Sequence, residues 1–117
     1  MKFLMTYAQD PAHRPTPETI AKIERYTKEM IERGVVLMTG GLVRPSQGIK
    51  VRLTGEQFSA TDGPYAETKE LIDGFALIQA ASKEEAIQHA RAFMLLAGDG
   101  EGEILQVFDG GEAAPRC

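Results

Sequence analysis

Hydrophobic and polar residues follow two different repeats along this chain of 117 residues. In two stretches the apolar residues recur every three or four positions, which is the spacing of an amphipathic helix. Elsewhere, short apolar and β-branched runs are bounded by glycine, proline or charged residues, which is the pattern of strands. The predicted elements are, in order, a strand over Lys2–Ala8, a helix over Pro17–Arg33, a strand over Val35–Val43, a hairpin of Gly48–Leu53 with Phe58–Thr61, a strand over Leu71–Ala80, a helix over Lys83–Leu96 and a strand over Glu103–Phe108.

Signals for starting and stopping a helix flank both helical stretches. Thr16 offers a hydroxyl N-cap, and Pro17 then occupies the first helical position, where its missing N–H is not needed. Ser82 and Glu85 form a capping box, with a hydroxyl at the N-cap and a carboxylate three residues later. Glycines that commonly end helices follow each stretch, namely Gly34 after the first and both Gly98 and Gly100 after the second.

The order strand, helix, strand, hairpin, strand, helix, strand predicts an α+β fold. It is a ferredoxin-like split β-α-β arrangement with an inserted β-hairpin. Two helices cover only one face of such a sheet, yet the strands are apolar on both faces, as where Phe3 and Met5 alternate with Leu4. Burying about 400 Å² of the second face would favour association by roughly 10 kcal/mol before the association cost is subtracted. We therefore expect a homodimer packed through the sheet face.

Composition and charge narrow the functional classes. A chain of this length has room for one ordinary domain, which we place at residues 1–109, and residues 110–117 are expected to be a disordered tail. The net charge of −4 and an isoelectric point near 5.2 disfavour nucleic acid as a partner. Cys117 is the single cysteine, so no intrachain disulfide can form. No apolar run reaches signal-peptide or membrane length, and we expect a cytoplasmic protein without a membrane partner.

The stretch between the hairpin and the fifth strand is the densest in polar side chains. Asp62 begins it, followed by Gly63-Pro64 and Tyr65, and we expect a short helical piece before residue 71. A carboxylate in an apolar site gains a raised pKa and acts as a general base, with the phenol as a hydrogen-bond donor to a ligand. On this hypothesis Asp62 is buried or half-buried beside a cavity. The structural alternative is that Asp62 caps the short helix.

The two histidines differ in their surroundings. His13 lies in a proline-rich loop, where it either contacts a ligand or is an ordinary exposed residue, and His89 lies at the edge of the apolar face of the second helix. We expect His89 to be a half-buried packing residue. No spacing typical of a metal site or of a phosphate-binding glycine loop occurs, so we expect no cofactor. A haem-binding alternative would require one of these histidines as the axial ligand.

Asp62-Gly63-Pro64-Tyr65 resembles the Asp-Gly-Pro-Phe motif after which the DGPF subgroup of the YCII-related family is named. The resemblance covers most of the chain, from about Lys2 to Phe108. Further similarities lie at Met1–Met5, Gly40-Gly41-Leu42, Asp62–Glu70, Gly74-Phe75 and Glu103-Ile104-Leu105.

The resemblance implies a dimeric α+β barrel with a pocket near the motif, in small bacterial proteins whose activity is largely unassigned. The stretch from Tyr7 to Asp10 is similar to the end of the first strand in those relatives, which makes both residues candidates to line that pocket. Tyr65 replaces the phenylalanine of the motif and adds a hydroxyl. The broader relatives have a histidine near the start of the first helix, and the corresponding position here is Thr19, which disfavours a histidine-based mechanism.

Two functions remain open. The first is a small-ligand-binding protein, which either only binds or is also a cofactor-independent enzyme that transfers protons. Asp62 and Asp10 are the candidate catalytic carboxylates, and Tyr65, Tyr7 and His13 are candidates to bind an unknown small molecule. The second is a non-catalytic regulatory or interaction module. The resemblance implies this second function because relatives are often encoded beside sigma factors of the extracytoplasmic-function class.

Overall fold

The computed structural model describes residues 1–10, 12, 15–42, 48–62 and 72–108. Within these ranges the chain forms six strands and two helices, in the predicted order. The short helical piece expected before residue 71 and the tail at 110–117 lie outside the described residues. The elements are β1 (Lys2–Gln9), α1 (Pro17–Glu32), β2 (Val36–Gly41), β3 (Ile49–Thr54), β4 (Gln57–Asp62), β5 (Gly74–Gln79), α2 (Lys83–Ala97) and β6 (Gly100–Val107).

Four strands form one antiparallel sheet in the order β2-β5-β1-β6, and β3 and β4 form a separate two-stranded hairpin. Each helix connects two strands that have a third strand between them: α1 leads from β1 to β2, and α2 leads from β5 to β6. This is the ferredoxin-like arrangement with an inserted hairpin, so the predicted fold class is confirmed. No helix in the described part of the chain is long and apolar enough to cross a membrane.

Both predicted helix caps are present. The Thr16 hydroxyl accepts a hydrogen bond from the Thr19 backbone N–H at 3.1 Å, and the Ser82 hydroxyl accepts one from the Glu85 N–H at the same distance. The Glu85 carboxylate in turn accepts the N–H of Ala81, one residue before the N-cap, at 2.7 Å. These contacts satisfy N–H groups that have no partner within the helix.

The core lies between the sheet and the two helices. Phe3 of β1, Ile78 and Ala80 at the end of β5 and Ala86 of α2 form its buried centre. Because side chains alternate along a strand, the residues next to Phe3 and Ile78 point to the opposite face of the sheet. Both helices therefore cover the same face, as the predicted topology requires.

The opposite face carries an apolar row that crosses all four strands. The pairing register aligns Met38 of β2, Leu77 of β5, Leu4 of β1 and Leu105 of β6. The two ends of this row, Met38 and Leu105, are 60% and 50% exposed. We call these four residues the bare-face row.

Some predicted boundaries are wrong. The last strand begins at Gly100, three residues before the predicted start, because the backbones of Gly100 and Gly102 pair with Gln9 and Tyr7 of β1. Gly98 alone ends α2, with a positive φ of 108°. The fifth strand starts at Gly74 and not at residue 71, and β2 ends at Gly41, before the predicted end at residue 43.

Candidate functional site

A cavity of about 490 Å³ lies between the sheet and the two helices. Its volume falls within the range of pockets that hold small organic ligands. Its walls are mainly apolar and aromatic. They include Ile23, Tyr26, Thr27 and Met30 of α1, His89, Ala90, Phe93 and Met94 of α2, and Met5, Tyr7, Val36, Ala76, Ile78 and Ile104 of the sheet.

A row of glycines forms the floor of this cavity. The register aligns Gly41 of β2, Gly74 of β5, Tyr7 of β1 and Gly102 of β6 across the sheet. All four line the cavity. Since three of the four positions have no side chain, this end of the sheet leaves a space beneath the helices that larger residues would fill. We call this the glycine row.

The glycines of the row differ in their surroundings. A Cβ atom at Gly102 would overlap the carbonyl oxygen of Thr6, so this position requires glycine for close pairing of β6 with β1. A Cβ atom at Gly41 would lie 3.7 Å from the Asp73 carbonyl oxygen, which is ordinary contact. Gly41 therefore borders open space, and nothing in the backbone forbids a side chain there.

Tyr7 contributes its ring to the cavity and its hydroxyl to the fold. The ring meets Phe93 edge to face, with centroids 5.3 Å apart. The hydroxyl donates to the carbonyl oxygen of Gly98 at 2.9 Å and so ties β1 to the end of α2. Burial raises the pKa of this phenol, and the nearby carboxylates of Asp73 and Asp99 raise it further. The phenol is therefore neutral and a hydrogen-bond donor at physiological pH.

Asp73 also lines the cavity, at the end of the sheet. Its carboxylate accepts the Gln9 N–H at 2.7 Å. Its backbone N–H donates to the Tyr7 carbonyl at 2.8 Å, and its own carbonyl accepts the Leu42 N–H at 2.9 Å. These bonds join the ends of β1 and β2. Asp73 is not among the residues predicted for the site, although an acidic residue within the apolar run Ile72-Asp73-Gly74-Phe75 is a signal for a polar role.

Two further polar side chains lie on the helices. The side chain of His89 is 22% exposed, which confirms the expected half-buried position, and its Nε2 atom is buried without a hydrogen bond. A carboxylate oxygen of Glu85 lies 3.5 Å from that atom, close enough for an ion pair when the imidazole is protonated. Tyr26 of α1 is half-buried, and burial raises the pKa of its phenol. Tyr26 is not among the predicted site residues, because the helical repeat shows it only as one of several residues on the inner face of α1.

The three predicted site residues that the structure describes, Tyr7, Asp10 and Asp62, do not share one site. Asp62 is the last residue of β4, where it is paired with Ile49, is exposed and does not line the cavity. The expectation that Asp62 is buried or half-buried is therefore wrong. The physical reason is that Asp62 belongs to the hairpin, which stands apart from the four-stranded sheet.

Asp10 is half-buried just after β1, and it does not line the cavity either. Its carboxylate accepts the N–H of Ala12 at 2.9 Å, which is a local turn contact. Of the three predicted site residues that the structure describes, Tyr7 lines the cavity. Tyr65 and His13 lie outside the described residues. Among the described residues, no group of three or more histidine, cysteine or acidic side chains is placed to hold a metal ion.

Comparison with known proteins agrees with this architecture. The family model of the YCII-related domain matches residues 1–109. The chain belongs to the YCII-related family. A similar protein is an uncharacterized protein from Rhizobium meliloti (strain 1021), which is 36% identical over 64 residues. That match covers 55% of this chain and 52% of the relative, so it spans about half the length of each protein. The DGPF subgroup stays a prediction.

Proposed function

We propose that this member of the YCII-related family binds a small, mainly apolar organic molecule in the cavity above the glycine row. The proposal rests on the unfilled volume of this cavity. Protein interiors are packed as densely as organic crystals, and unfilled apolar volume destabilises a fold. Here three glycines of three different strands line up beneath the helices and leave about 490 Å³ unfilled.

The lining residues indicate the chemistry of the ligand. Apolar and aromatic walls suit a hydrophobic body, and Tyr26 and His89 are residues with polar groups on the helix side of the lining. The carboxylate of Asp73 adds negative charge at the sheet end. Within the described residues, the lining includes no lysine or arginine. These features favour a neutral or cationic ligand over a carboxylate or phosphate.

A proton-transfer reaction in this cavity would use groups other than the predicted ones. Asp62 is exposed, and Asp10 contacts its own loop. Among the described residues, the titratable groups that line the cavity are Asp73, Glu103 and His89, together with Tyr7 and Tyr26. For a proton-transfer reaction in this cavity, we therefore propose Asp73 as the first acid–base group and His89 as the second.

The cavity predicts a substitution that separates binding from folding. Gly41→Val places a branched side chain on the cavity floor, where the added Cβ meets only ordinary contacts and valine suits a strand. A thermal-shift screen of uncharged and cationic metabolites on the wild-type protein should yield a ligand. At 100 times its dissociation constant that ligand adds about 2.7 kcal/mol to the free energy of unfolding.

The same ligand should raise the free energy of unfolding of the Gly41→Val variant by less than about a third of its gain for the wild type. The matched control is Met38→Val, which changes the same strand on its other face. We expect Met38→Val to respond to the ligand as the wild type does. A ligand that stabilises the Gly41→Val variant as strongly as the wild type would show that binding takes place elsewhere.

We propose in addition that the chain forms a homodimer through the bare-face row. The apolar side chains of this row cross the sheet on the face that the helices leave open, with Met38 and Leu105 at least half exposed. Light scattering at micromolar concentration should then give a mass near twice 12.8 kDa. A mass near 12.8 kDa would contradict the dimer.

A further inference from the structure

The hairpin β3–β4 has one apolar face and one polar face. The alternation of its strands places Ile49, Val51 and Leu53 of β3 on the same side as Phe58 and Ala60 of β4. Asp62, which pairs with Ile49, lies at the edge of that side. The four large apolar side chains are 61–67% exposed. We call the five apolar residues the arm face, and Thr54 and Gln57 belong to the opposite, polar side.

Nothing in the described part of the chain covers the arm face. All six residues of β3 and all six of β4 are exposed. An isolated two-stranded hairpin is at best marginally stable in water. The regular six-pair register of this hairpin therefore points to an apolar surface that it packs against.

We propose that the arm face packs against a second copy of this chain and forms part of the dimer interface together with the bare-face row. The exposed apolar area of the two surfaces supports this proposal. A fully buried aliphatic or aromatic side chain removes roughly 60–120 Å² from water on the transfer scale. The four large residues of the arm face, which are 61–67% exposed, therefore supply roughly 150–300 Å² per protomer. Met38 and Leu105 of the bare-face row add about 100 Å², because Leu4 and Leu77 of that row are already half-buried. A standard stable interface buries roughly 800 Å² per partner, somewhat more than half of it apolar.

The two surfaces together supply the apolar centre of an interface of that size, which polar residues at its rim complete. A second copy supplies the apolar partner surface and, by two-fold symmetry, receives the same contact in return.

The test uses two double variants of the full chain. Leu53→Asp with Phe58→Asp changes two directly paired residues of the arm face. Thr54→Asp with Gln57→Asp changes the neighbouring pair on the polar side and adds the same number of carboxylates. Sedimentation equilibrium measures the dimer dissociation constant of each protein, and circular dichroism with thermal melting monitors the fold.

We expect the arm-face variant to raise the dimer dissociation constant at least 100-fold and to keep its helical signal and cooperative melting. The dimer dissociation constant of the polar-side variant should lie within about threefold of the wild-type value. Met38→Asp serves as the variant of the bare-face row and should also weaken the dimer.

Three results would overturn the proposal. An unchanged dissociation constant for the arm-face variant would place the arm outside the interface, whether or not Met38→Asp weakens the dimer. Loss of cooperative melting in the arm-face variant alone would show that the arm packs within its own chain. A wild-type protein that is monomeric at all concentrations would refute the arm contact together with the bare-face dimer.

Discussion

At the scale of single residues, Tyr7 connects the fold to the cavity. Its ring borders the cavity beside Phe93, whereas its hydroxyl is used within the fold, in a hydrogen bond to Gly98. The resemblance to the family made Tyr7 a ligand-binding candidate. The ring lines the cavity, and the hydroxyl holds β1 to the end of α2 through its hydrogen bond to Gly98.

Tyr7→Phe separates these two roles. The substitution keeps the ring against Phe93 and removes the hydrogen bond to the Gly98 carbonyl, which is then left without this donor. We expect the free energy of unfolding to fall by about 1 kcal/mol, measured by urea denaturation. Affinity for a cavity ligand should stay within about twofold. Unchanged stability combined with a large loss of affinity would show that the hydroxyl binds the ligand.

The raised pKa values of Tyr7 and Tyr26 predict how stability depends on alkaline pH. Burial raises both from the ordinary value of 10.0, so the folded protein holds these protons more tightly than the unfolded chain. Their contribution is fully present below pH 10 and is lost as pH rises through the folded-state pKa values, because the unfolded chain releases its protons first. Urea denaturation between pH 9 and 11 should show this decline.

The control for the alkaline decline is the double variant Tyr7→Phe with Tyr26→Phe. It lacks both phenols, so its free energy of unfolding should fall less steeply over the same pH range. An equally steep decline in the double variant would assign the effect to other groups.

The difference between Asp62 and Asp73 shows what a sequence can indicate about a site. The turn beginning at Asp62 is dense in polar residues, and that density is visible without a structure. Whether such a carboxylate meets a cavity depends on which element carries it. Asp62 ends a hairpin strand that is exposed throughout, whereas Asp73 precedes a strand at the centre of the main sheet. Sequence alone does not distinguish these positions, because the distinction depends on strand order.

At the scale of elements, the glycine row determines where the sheet can accept side chains. Gly102→Ala would bring a methyl group against the Thr6 carbonyl, and β6 cannot move away without losing its pairing, including the bond from the Glu103 N–H to the Thr6 hydroxyl at 3.1 Å. We expect this substitution to reduce the free energy of unfolding by about 1–3 kcal/mol.

Gly41→Ala is the matched comparison for Gly102→Ala, because it adds the same methyl group where there is room for it. Alanine also restricts the unfolded chain more than glycine does, so this variant should be as stable as the wild type or more stable by about 0.5 kcal/mol. Thermal melting of the two variants checks both expectations. Equal destabilisation at the two positions would contradict the described floor of the cavity.

The elements themselves were largely predictable. Helix caps are local signals, and Thr16 and Ser82 have the expected roles. The start of β6 was missed because Gly100 and Gly102 have low strand propensity, and only their pairing with β1 makes them part of the sheet. The cavity could not be predicted for a related reason. Its floor joins glycines of three strands that are far apart in the chain, and their alignment exists only in the cross-strand register.

At the scale of the whole molecule, the sheet separates the proposed ligand cavity from the proposed dimer face. The cavity lies on the helix-covered face, and the bare-face row lies on the other. In the proposed dimer the two surfaces therefore act independently, with the sheet between them. Gly41→Val should weaken ligand binding without changing the dimer mass, because it alters only the helix-covered side.

The methionines provide the most direct test of the proposed ligand site. The chain has five methionines. Met5, Met30 and Met94 line the cavity, whereas Met38 lies on the bare face and Met1 is 57% exposed at the chain start. Methyl-labelled methionine therefore reports on the cavity and on two control positions within the same molecule.

The deciding measurement is a methyl NMR titration of the wild-type protein with the ligand from the thermal-shift screen. We expect the signals of the three cavity methionines to shift in proportion to occupancy, and those of Met1 and Met38 to stay in place. Shifts confined to Met1 or Met38, or saturation of binding with no change at Met5, Met30 and Met94, would contradict the assignment of the cavity as the ligand site.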